Sequence, residues 1–127
     1  MFTHSYLGTN AVAAARKFYD ATMGVLGYKP HELPHGAVYP DDKGTALVVA
    51  TPGNGEPHTV SNGHTLGFTA LDYAAVDAWH KAGLENGGTC EGPPGFRASS
   101  PGNMYGAYLR DPDGNKVCAW APNTGPR

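Results

Sequence analysis

The residues with the most chemistry to offer are a cysteine near the end of the chain and two histidines placed alike. "YLRDPDGNKVCAW", residues 108–120, reads as an Asp- and Gly-rich turn followed by an apolar strand, with Cys118 where a carboxylate would suit a polar site. A thiol there can ligate a metal, fill a cavity wall, or mark a site whose acid is gone. His4 and His64 each open a strand candidate, and each precedes a glycine, Gly27 or Gly87, by 23 positions. Alternation puts Phe2, His4 and Tyr6 on one face of the first strand, His64, Leu66 and Phe68 on one face of another, and Cys118 with Trp120 on the last. Each of the three candidates is thus set among aromatic residues, as in the wall of a cavity.

The other polar residues offer less. Arg97 can pair with an anionic group and Tyr105 can donate a hydrogen bond into a cavity, with Ser99 and Ser100 nearby. His31 and His35 have helical ligand spacing, but Pro30 and Pro34 exclude a regular helix, so a solvated turn is expected. His80, next to Lys81 in a helix candidate, is expected at the surface. No nucleophile elbow, phosphate-cradling loop or Cys-x-x-Cys pair occurs, which removes serine-hydrolase, nucleotide-binding and thioredoxin-like chemistry.

The elements that must hold these residues come in two copies. "FTHSYLG" is followed by a helix candidate from Asn10 to Leu26, with Asn10 as N-cap and Gly27 at its stop. "GHTLGFTA" is followed by a second from Asp72 to Asn86, with Asp72 as N-cap and Gly87 at its stop. Further on, "PDDKGTALVVA" (40–50) aligns without a gap on "RDPDGNKVCAW" (110–120), matching Gly44 with Gly114 and Val48 with Cys118. The offset between copies grows from 60 to 70, so the second copy gains ten residues. The gain falls in the loop-like segment 92–103, where substrate contacts are expected. The fold class expected is α+β: two tandem βαβββ modules, about 1–55 and 60–122 of one domain spanning 1–127, forming a curved, partly open mixed sheet around a cavity.

Bulk properties bound the function. One compact domain fits 127 residues, and 40% hydrophobic with 16% charged residues is ordinary for a globular chain. A net charge of −2 without a Lys/Arg cluster argues against nucleic-acid and acidic-membrane partners and leaves small molecules. The absence of a signal-like or spanning segment makes a cytoplasmic location the expectation, and with it reduced Cys90 and Cys118 rather than a disulfide.

Taken together, the duplicated module, "ARKFYDATMGVLGY", "GHTLGFTA", "AAVDAWHKAGLENGGT" and "YGAYLRDPDGNKV" resemble the vicinal oxygen chelate superfamily, which includes glyoxalase, fosfomycin resistance proteins, extradiol dioxygenases and bleomycin-binding proteins. The resemblance spans nearly the whole chain. It implies a metal held at the centre of the curved sheet, with His4 and His64 at the first two ligand positions and Cys118 at the one usually filled by Glu. The fourth, a carboxylate position, is occupied here by Val48. Such a His/His/Cys set would favour zinc among divalent ions. The resemblance also implies a homodimer.

Two readings stay open at this stage. One is a metal-assisted lyase, isomerase or oxygenase acting on a substrate with neighbouring oxygens. The other is a metal-free protein binding an aromatic or drug-like ligand against Phe2, Tyr6, Phe68 and Trp120, with Arg97 and Tyr105 as polar contacts.

Overall fold

The computed structural model describes all of residues 1–127. The first module contains β1 (His4–Gly8), α1 (Val12–Val25), β2 (His31–Leu33), β3 (Gly36–Pro40) and β4 (Ala46–Ala50). The second contains β5 (Leu66–Thr69), α2 (Tyr73–Glu85), β6 (Thr89–Phe96), β7 (Tyr105–Arg110) and β8 (Lys116–Ala121). Each module makes a four-stranded mixed sheet, ordered β1-β4-β3-β2 and β5-β8-β7-β6. In each, the opening strand runs parallel to the last, and the other pairs are antiparallel. The crossover helix makes that parallel pair possible, since a short turn cannot reverse the chain twice.

Strand alternation decides which face each helix covers. Ala37, Tyr39, Leu47 and Val49 are buried against α1, and Ala107, Leu109, Val117 and Ala119 against α2, in one continuous core. Trp79, Phe18 and Tyr19 fill the space between the helices and the sheets, and α1 packs on α2. The helices therefore lie on one side of both sheets, and the other sheet faces are left open.

The stops and turns behave as their glycines require. Gly27 and Gly87 end the helices at φ 93° and 98°, and Gly44 and Gly114 close the two hairpins at φ 88° and 89°, a region costly for any residue with a Cβ. Asp72 caps α2, accepting from the Ala75 amide at 2.9 Å. Replacing Asp72 with alanine is expected to lower stability by about 1 kcal/mol, measured by urea unfolding.

Asn10 does not cap α1. The helix begins one residue later, at Val12, after an Ala11 that offers no side-chain cap. Asn10 instead ties the modules together, its backbone N–H donating to Asp113 and its side chain clasping the backbone of His58. The same end of the interface holds Asp111, 4% exposed, which accepts from the Tyr19 hydroxyl at 2.6 Å and from the Asn115 side chain at 2.9 Å. Asn115 in turn donates to the Gly8 carbonyl at 3.1 Å. Burial, reinforced by the Asp111 charge, holds the Tyr19 hydroxyl protonated, with its pKa well above the ordinary range for tyrosine.

Two expectations about the second module change. Segment 92–103 is not all loop: its first five residues complete β6, whose two prolines are tolerated because β6 is an edge strand with irregular register. His80 is 8% exposed rather than a surface residue, because β6 closes over that turn of α2.

Candidate functional site

A cavity of about 960 Å³ is lined by β1 and β5. It draws on both faces of the sheets, with His4, Tyr6, Thr65 and Gly67 from the open side and Met23, Tyr39, Leu47 and Phe68 from the helix-covered side. Its wall continues onto the second sheet through Gly67. A Cβ on Gly67 would stand 3.2 Å from Cys118 Sγ and 3.9 Å from Trp120 Cδ1, so this cavity-lining backbone lies directly against both side chains. Gly106 does the same for the indole. A Cβ there would come within 2.6 Å of the Trp120 ring, which therefore lies flat over bare backbone.

Beyond Trp120 the open face of the second sheet is an aromatic surface edged by cations. Tyr108 pairs with Cys118 across β7 and β8 and packs edge-on against Trp120, with ring centroids 5.7 Å apart. Lys116 Nζ sits 5.1 Å from the Tyr108 centroid, and the Arg97 guanidinium 6.0 Å from it. Both cations are within the distance at which a ring face attracts positive charge. Arg97 also donates to the Pro93 carbonyl at 2.6 Å, which folds it back over the sheet. Neither Arg97 nor Lys116 has a carboxylate partner, whereas Arg110 on the same face is bound to Glu91 at 3.0 Å. The face carries unneutralised positive charge although the whole chain is negative.

Cys118 is 3% exposed and its sulfur accepts from the Trp120 indole N–H at 3.2 Å. Burial raises the thiol pKa. His4 reaches the Thr3 hydroxyl at 2.9 Å at the cavity mouth. His64 precedes β5 and lines both the main cavity and a smaller pocket of about 260 Å³ with Tyr6, His58, Asn115 and Lys116. No group of three or more His, Cys, Asp or Glu side chains is placed to hold a metal ion.

The reason is a one-residue shift in register. Tyr6 pairs with Val48 in the first sheet, but in the second Cys118, the counterpart of Val48, pairs with Gly67 and not with Leu66. The residue of β5 that corresponds to His4 is thus Thr65, and a shift of one position changes the face of the sheet. The His4, His64 and Cys118 set expected from the sequence is not gathered into a ligand group, so these three residues do not fit a metal such as zinc.

Tyr105 also differs from expectation. It lies on the helix-covered face at 6% exposure, donating its hydroxyl to Asp77 at 2.7 Å and accepting from Arg127 at 3.2 Å. Ser100 is used within its own turn, donating to the Arg97 carbonyl and accepting from the Met104 amide. Arg97 and Trp120 remain on the open face. The residues that the sequence did not single out are Tyr108 and Lys116; the signal available was parity with Trp120 along the two paired strands.

The solved structure of a glyoxalase/bleomycin resistance protein from Albidiferax ferrireducens is 46% identical, with a TM-score of 0.90 over 95% of this chain and 98% of that one. A glyoxalase-related enzyme from Fulvimarina pelagi is 19% identical, with a TM-score of 0.75 over 95% and 87% of the two chains. Lactoylglutathione lyase from Agrobacterium tumefaciens is 22% identical, with a TM-score of 0.63 over 95% and 92%. At these lower identities the likeness is one of fold. Among curated protein sequences none matches. The sequence profile of the Glyoxalase/Bleomycin resistance protein/Dioxygenase superfamily matches residues 2–119, and the chain belongs to that superfamily.

Proposed function

We propose that this protein binds a planar aromatic ligand bearing an anionic group on the open face of its second sheet, without a metal. The observation that carries the reading is the Trp120–Tyr108 surface flanked by Arg97 and Lys116, two cations without carboxylate partners. Ring stacking supplies apolar contact, and the cations receive the ligand's carboxylate or sulfonate. The cavity reached past Gly67 takes the rest of the molecule, in contact with Phe2, Tyr6 and Phe68.

A metal-assisted lyase, isomerase or oxygenase would need ligands converging on one point, and the donor set at His4, His64 and Cys118 does not supply them. Arg97 and Trp120 keep their roles as ligand contacts in this reading, and Tyr105 becomes a support for α2. Two chains pairing into a homodimer would bury apolar side chains exposed near the cavity mouth, such as Met1 and Phe2. No helix is long and apolar enough to cross a membrane.

Calorimetric titration with 2-naphthoate tests the reading. Binding is expected to persist in excess EDTA and to weaken by roughly tenfold when Arg97 is replaced with leucine, the loss expected for one charge-assisted contact. Binding that disappears with EDTA and returns with zinc would overturn it.

A further inference from the structure

Outside the open face, the structure holds a second pair of chemically matched side chains. Cys90 is exposed on the edge strand β6, and its sulfur lies 3.2 Å from Nε2 of His80 on α2. His80 is 8% exposed, so its ring is held by packing, and burial lowers its pKa, leaving the imidazole neutral and able to accept a proton. The β6–β7 register shifts just past Cys90, and Glu91 is drawn off to Arg110 at 3.0 Å. Cys90 pairs with Leu109, which faces the helices, so the thiol is set over the helix turn carrying His80. The acid nearest His80 by charge is Asp77, whose carboxylate is taken by Arg127 and Tyr105.

We propose that Cys90 is a nucleophilic thiol with His80 as its base, and that it forms covalent adducts with soft carbon electrophiles of the α,β-unsaturated carbonyl class. The sulfur attacks the β-carbon, a new S–C bond forms, and the C=C π electrons move towards the carbonyl. The thiol proton passes to His80 Nε2 and from there to the resulting enolate. The net change is addition of S–H across the double bond, so no oxidant or reductant is required. Cys118 provides an internal contrast, being 3% exposed and already accepting from Trp120.

The full chain is treated with N-ethylmaleimide at pH 7, with the labelled cysteine identified by mass spectrometry. Native Cys90 is expected to react about tenfold or more faster than in the same chain unfolded in urea, and than in folded His80→Gln, while native Cys118 stays unlabelled. A native Cys90 rate equal to or below the unfolded rate overturns the proposal, and that comparison stands even if the variant does not fold. An unchanged rate in folded His80→Gln, or labelling of Cys118 ahead of Cys90, overturns it as well.

Discussion

Replacing Asp111 with alanine is expected to lower the unfolding free energy by about 3 to 5 kcal/mol, far more than an ordinary turn residue would cost. Asp111 is 4% exposed and accepts from the Tyr19 hydroxyl, the Asn115 amide group, and the backbone N–H groups of Asp113 and Asn115. Removing the carboxylate leaves these largely buried donors without their acceptor, and each stranded donor carries a desolvation cost. It also loosens Asn115, whose side chain bridges to Gly8 in the other module. Urea unfolding of the full chain checks this; a loss below about 1 kcal/mol would mean that the module interface does not depend on this network.

The second large effect falls on binding. Trp120→Ala is expected to weaken 2-naphthoate by about 2 kcal/mol, roughly thirtyfold, because buried aromatic anchors dominate such contacts. The fold should survive, since the indole lies on the open face and its removal uncovers Gly106 without opening the core beneath α2. Calorimetry and far-UV circular dichroism on one preparation separate the two effects. Unchanged affinity in a folded variant would place the ligand elsewhere.

Much of this architecture could be read before any coordinates. Gly27, Gly87, Gly44 and Gly114 marked two helix ends and two hairpins because those positions need a positive φ, and each one has it. The duplicated module followed from their spacing. The site was legible only in part, since Arg97 and Trp120 could be named but their neighbours Tyr108 and Lys116 could not. Alternation along residues 105 to 110 sets Tyr108 on the face opposite Tyr105, Ala107 and Leu109, but that Tyr108 stands beside Trp120 follows only from the pairing with β8. Register is a property of two strands together, so the alignment of His4 with His64 looked sound in sequence although β5 pairs one position further on. The burial of His80 is hidden from the sequence for a related reason. Its neighbour Lys81 pointed to a solvated face, but the closing of β6 over α2 is a tertiary event.

The central claim is that the ligand lies against Trp120 and the cations beside it. The two tryptophans are expected to give separate indole N–H signals in a nitrogen–proton correlation spectrum, Trp79 from the core and Trp120 from the open face. Titration with 2-naphthoate in the presence of EDTA is expected to shift the Trp120 indole signal and the amides of Gly67, Gly106 and Tyr108, leaving the Trp79 indole in place. Shifts confined to the helix-covered side, or none until a divalent metal is added, would contradict the account.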